Sequence, residues 1–134
     1  MQTKPYLTLD DAKAVAHAAH IAAAGNGWTV VIAILDAGAN LLYLERMDGT
    51  QIGSVRVAIG KGKTAVSFKR PTKILEDAVN GGRTNMLGLP GVTPIEGGLP
   101  LIYQGEIVGA IGVSGVQSFE DGIVAKAGAD VLAA

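Results

Sequence analysis

Residues Thr29–Glu45, TVVIAILDAGANLLYLE, decide the fold. Thr29 to Leu35 is a β-branched, apolar run of the kind that forms a strand buried on both faces. Asp36-Ala37-Gly38-Ala39-Asn40 is turn chemistry and Leu41 to Glu45 is the returning strand, so the stretch predicts a β-hairpin. A second hairpin is expected where Leu99–Tyr103 and Glu106–Ser114 flank Gln104-Gly105. Strands joined by such short turns pair antiparallel.

Helices are expected around the hairpins. Thr8 can cap the first, Asp10 and Asp11 suit the positive end of its dipole, and Gly25 stops it. Ala12, Val15, Ala16, Ala19, Ala22 and Ala23 recur at three- and four-residue spacing as one apolar stripe. Ala14, Ala18 and Ile21 make the opposite side apolar too, which points to a sheet on one side and a neighbouring subunit on the other. A second helix is predicted over Ser54–Phe68, ended by Pro71, and a third over Lys73–Asn80 with Thr72 as its cap. Gly81–Gly98 reads as a long loop with two prolines, and a last helix opens at Gln117 or Ser118 with Glu120 and Asp121 in its first turn. The order α-β-β-α-α-β-β-α is an α/β (α+β) fold, one domain over 1–134, with an antiparallel sheet of two hairpins flanked by helices.

Composition excludes several classes of function. Eleven basic and 12 acidic residues give a net charge of −1 with both signs interspersed, which argues against a nucleic-acid surface. The longest apolar run is far too short to cross a bilayer, and the first residues lack the apolar segment of an export signal. The cytoplasm is therefore the expected compartment. Without cysteine there is no disulfide, thiolate nucleophile or iron–sulfur ligand. A charged fraction of 17% cannot coat the whole surface of a small domain, so part of it is expected to be buried against copies of the same chain.

Three glycine clusters resemble catalytic motifs and fail. Gly60-Lys61-Gly62-Lys63-Thr64 ends like a phosphate loop, but Val57 stands where its first glycine belongs and the segment is helical in pattern. Gly112-Val113-Ser114-Gly115 is not a nucleophile elbow because Val116 replaces the closing glycine. The glycines at 109, 112 and 115 lack dinucleotide spacing and instead mark close backbone approach.

Single residues carry the remaining chemistry. His17 and His20, the two histidines, share one flank of the first helix with Lys13. Either is a surface or interface residue, or it offers an imidazole to a metal or haem iron, with His20 the metal candidate. No acidic residue on that flank completes a metal site. Arg46, Asp48, Lys61, Lys63, Lys69, Arg70 and Arg83 are either solvated or form a basic rim suited to a carboxylate-bearing ligand. Glu96, before Gly97-Gly98, is placed as a general base.

The strings Leu35-Asp36-Ala37-Gly38-Ala39-Asn40-Leu41-Leu42 and Arg46-Met47-Asp48-Gly49 resemble the opening hairpin of the GlcG/HbpS/PduO-carboxyl-terminal family of haem-binding-like domains. Ala58, Lys61, Thr64-Ala65, Phe68 and Arg70-Pro71-Thr72 continue the likeness. So do Gly97-Gly98-Leu99-Pro100, the run Val108–Gly115, and Asp121, Ile123, Ala125 and Ala127-Gly128. Two residues depart: Ala39, where the family usually has glycine, and Gly62, where it tends to have alanine. The resemblance implies a profilin-like α-β-α sandwich, assembly into homo-oligomers (often octamers), and binding of haem or another tetrapyrrole. It also implies an iron ligand that is either a first-helix histidine, here His17 or His20, or a threonine, here Thr64.

Two functions follow as expectations. The leading one is a small-ligand binding protein rather than an enzyme, accessory to a catabolic or cofactor pathway, with haem or a corrinoid as ligand. Phe68, Met47 and Leu99 would supply walls, His20 or Thr64 the donor, and Arg46, Lys61 or Arg70 a propionate contact. The alternative is an enzyme acting on a small organic acid or aldehyde. There Glu96 carries the proton, Arg46 or Arg70 anchors the carboxylate, and the Gly97 and Gly98 amides act as oxyanion donors. Both require the two hairpins to join into one sheet with a cavity near Arg46 and Gly97.

Overall fold

Val30 to Leu35 can be apolar at every position because both faces of the strand they form are covered. A computed structural model describes residues 1–133. Strand β1 (Val31–Asp36) and β2 (Leu41–Arg46) form the first hairpin, and β3 (Gly98–Tyr103) and β4 (Glu106–Ser114) the second. They join into one four-stranded sheet of order β2-β1-β4-β3, antiparallel throughout. The central pairing sets Val31 opposite Ser114 and Asp36 opposite Gly109.

Helices α1 (Leu9–Gly25) and α4 (Ser118–Ala129) lie on one face, and α2 (Gly53–Phe68) on the other. The two-residue period of β1 divides its side chains between these layers. Ile32 and Ile34 enter the larger core with Val15, Ala16, Ala19 and Val124, whereas Val31, Ala33 and Leu35 pack against Ala58 of α2. This is the expected three-layer sandwich. Helix α3 (Thr72–Asn80) and a 3-10 turn at Thr84–Gly88, unforeseen in the loop reading, carry the chain from α2 to β3.

Local chemistry sets the element ends. Thr8 and Asp11 form a reciprocal capping box on α1, and the Thr8 N–H and hydroxyl hold the Asp11 carboxyl below its usual range. Asp36 Oδ1 accepts from the Gly38 and Asn40 amides across the first hairpin turn. Ala39 has φ 66 there, a left-handed conformation that costs alanine more than it would cost glycine.

Glycine in β4 marks close approach, as expected. A Cβ on Gly112 would collide with the Ala58 carbonyl of α2 and lie 2.7 Å from the Gly62 amide nitrogen. A Cβ on Gly62 would meet only the tip of Leu35, a movable side chain, and Gly112 N at 3.5 Å. Gly112→Ala should therefore destabilise the protein by about 1–3 kcal/mol or more, because backbone must move. Gly62→Ala should cost less than about 1 kcal/mol, since helix propensity returns a similar amount. Chemical denaturation of the two variants checks the ranking.

Candidate functional site

The α1 flank that carries the histidines packs over β2. Tyr43 and Glu45 stand two residues apart on β2, so both point toward that helix. The Glu45 carboxylate reaches His20, with Nδ1 and Oε2 2.6 Å apart, and accepts a 3.3 Å hydrogen bond from the Tyr43 hydroxyl on its other oxygen. The His20 side chain remains 43% exposed and lines an open hollow. Burial, reinforced by the Glu45 charge and hydrogen bond, pushes the Tyr43 phenol up. Lys13 and His17 complete the rim of a shallow, open hollow of about 620 Å³.

The absence of an acidic partner along α1 is thus answered from β2, 25 residues away in sequence. One signal was available: Glu45 interrupts the apolar face of a strand otherwise able to bury it. Among the described residues no three histidine or acidic side chains gather as a metal site.

The other candidates are dispersed. Thr64 is buried, and its hydroxyl donates to the Gly60 carbonyl at 2.8 Å and accepts from the Thr93 amide at 2.8 Å. Both hydrogen bonds hold that hydroxyl inside the protein. Lys61 does not belong to a solvated rim. At 2% exposure it donates to the Val113 carbonyl (2.9 Å) and to Asp121 Oδ2 (3.0 Å) inside the protein. Burial pushes the Asp121 carboxyl up, opposed by Lys61 and by the N–H of Val116. Arg46 ends β2, exposed, and Arg70 is exposed with its Nε on the Phe68 carbonyl.

A second pocket, of about 180 Å³, opens beside Gly97 and Gly98 at the far edge of the sheet. Pro71, Lys73, Glu96, Leu99, Gly122 and Lys126 complete its lining. Neither Arg46 nor Arg70 takes part, and of the proposed walls Leu99 does while Met47 and Phe68 do not. The expected cavity spanning Arg46 and Gly97 is therefore not formed, because the two lie on opposite edge strands. The Gly98 amide is unavailable as an oxyanion donor, since it donates to Thr72 Oγ1 at 2.9 Å. That bond also corrects the capping role expected of Thr72: α3 starts at Thr72 without a side-chain cap.

Two apolar hollows flank Lys4–Leu7 near the start of the chain, and neither contains a histidine. No helix among the described residues is long and apolar enough to cross a membrane.

The fold and site define an α+β sandwich that displays a carboxylate-oriented histidine on an open face. A family model described as haem degrading protein HbpS-like matches residues 7–130, and the chain belongs to that HbpS-like family. Protein GlcG of Escherichia coli (strain K12) is 42% identical over 114 residues, 85% of each chain. A double mutant of Streptomyces reticuli HbpS superposes with a TM-score of 0.89 at 34% identity, covering 98% of this chain and 90% of that one. The crystal structure of a PduOC:heme complex aligns with a TM-score of 0.85 at 27% identity, covering 94% of each chain.

Thr72→Val keeps the side-chain shape but strands the buried Gly98 N–H. It should cost about 1–3 kcal/mol in denaturant unfolding. Thr72→Ser should restore most of that loss.

Proposed function

We propose that this protein binds haem or a related tetrapyrrole on the α1–β2 face, with His20 as the axial donor. The observation that carries this reading is the 2.6 Å contact between His20 Nδ1 and Glu45. A carboxylate on one ring nitrogen fixes the tautomer, orients the ring and raises the basicity of the other nitrogen, the usual support of a metal-ligating histidine. Thr64, the rival donor, has its hydroxyl engaged on both sides. Support also comes from the family to which the chain belongs and from the haem-loaded PduOC relative.

Haem supplies electron-transfer or dioxygen chemistry when bound. The chain's own groups bind and orient it. Lys13 offers an ammonium to a propionate in place of Arg46, Lys61 and Arg70, and the Tyr43 ring forms one wall of the hollow. The face is open on its outer side, and Ile21 beside it is 57% exposed. The reading therefore includes self-association that covers α1, in a role accessory to a catabolic or cofactor pathway.

Haemin added to the purified protein should produce a Soret band that saturates. His20→Ala should abolish the shift of that band, while His17→Ala and Thr64→Val leave it in place. Glu45→Gln should weaken haemin affinity by about tenfold or more. An unchanged spectrum in His20→Ala, or no band at stoichiometric haemin, would overturn the assignment.

A further inference from the structure

The Glu96 side chain is 20% exposed, and its carboxylate accepts no hydrogen bond among the described residues. Its nearest cation, Lys73 Nζ, lies 3.9 Å from Oε1. A buried charge without hydrogen bonds is costly, and proteins usually satisfy it. Here the fold instead makes room for it. Gly122 lies in the body of α4, where glycine weakens a helix, and a Cβ there would stand 2.5 Å from Glu96 Oε2 and 3.0 Å from Cδ. The helix gives up stability to seat a carboxylate whose one cation among the described residues, Lys73, stands at the outer limit of an ion pair and leaves its oxygens free to accept a hydrogen bond.

Two ammonium groups face the same pocket. Lys73 and Lys126 project from α3 and α4 and are paired with Asp77 and Asp130 one turn along their own helices. These i,i+4 pairs are exposed and weak, so either ammonium can turn to a ligand. A bare carboxylate entering the pocket would meet the lysines but be repelled by Glu96. A bare amine would satisfy Glu96 but meet two like charges. A molecule carrying both a carboxylate and a hydroxyl satisfies all three groups.

We infer that the pocket between α3, α4 and the start of β3 binds a small hydroxylated carboxylate, with Lys73 and Lys126 on its carboxylate and Glu96 accepting from its hydroxyl. The volume of about 180 Å³ limits the ligand to a few carbons and leaves no room for a macrocycle. This site lies at the opposite edge of the sheet from His20, so it neither requires nor competes with the haem reading.

The test is amide NMR of the labelled, haem-free full chain titrated with lactate and with glycerate. Propionate, which lacks the hydroxyl, and ethanolamine, which lacks the carboxylate, serve as controls. Saturable shifts are expected at Gly97, Gly98, Leu99 and Gly122 with a hydroxy acid, about tenfold weaker with propionate and absent with ethanolamine. Glu96→Gln should erase the preference over propionate, and Gly122→Ala should do the same by displacing Glu96. Lys126→Met, on the exposed side of α4, should weaken the hydroxy acid while confining changes in the ligand-free spectrum to the neighbours of residues 126 and 130. No saturable shift below about 10 mM, equal response to propionate, or saturation by ethanolamine would each overturn the inference.

Discussion

The contact on which the rest depends is the buried ion pair between Lys61 of α2 and Asp121 of α4. These helices lie on opposite faces of the sheet, and the lysine meets its partner near the last residues of β4, where it also donates to the Val113 carbonyl. The Lys61 stem and ammonium occupy the space beneath Gly97, where a Cβ would stand 2.8 Å from Nζ. Gly97 has φ 131, so it also holds a backbone conformation that other residues rarely adopt. One salt bridge thereby fixes α2, β4, α4 and the entry to β3 together. Removing one partner of such a pair leaves an uncompensated charge in the interior, which is far worse than never having had the pair.

The strand order puts the two proposed sites at opposite edges, and the lock bears on only one of them. On the β3 edge it sets Gly97–Leu99 against α4, and the Thr72 hydroxyl pins the Gly98 amide to α3. Glu96 is then held against Gly122, with Lys73 at 3.9 Å as its cation. On the β2 edge nothing comparable intrudes. The α1–β2 face carries the His20–Glu45–Tyr43 chain of contacts, and it stays open. A rigid, glycine-packed centre carrying polar groups at its margins is a reasonable way to position ligands without a deep cleft.

The fold was legible because its signals are local. Apolar residues from Val31 to Leu35 of β1, turn residues at Asp36–Asn40 and Gln104-Gly105, and the Thr8–Asp11 capping pattern each act within a few residues. Gly112 could be read as a site of close approach, though not as an approach to Ala58. The site was only partly legible, because its decisive partners are distant in sequence. Lys61 looks like a surface lysine until Asp121, 60 residues on, is folded against it. Thr72 has the sequence of a cap, but the buried Gly98 amide competes successfully for its hydroxyl. His20 was identifiable as a candidate, whereas the carboxylate that contacts it comes from another element. The basic rim dissolved for the same reason: residues grouped by sequence were separated by the strand order.

A double-mutant cycle of Lys61→Met, Asp121→Leu and the double variant, read by denaturant unfolding, tests the interlayer lock most directly. Each single change should cost about 3–5 kcal/mol, and the double variant should cost clearly less than their sum because the surviving buried charge is gone. Single effects that add to within about 0.5 kcal/mol would show that the two side chains do not act as a pair, and would contradict the account.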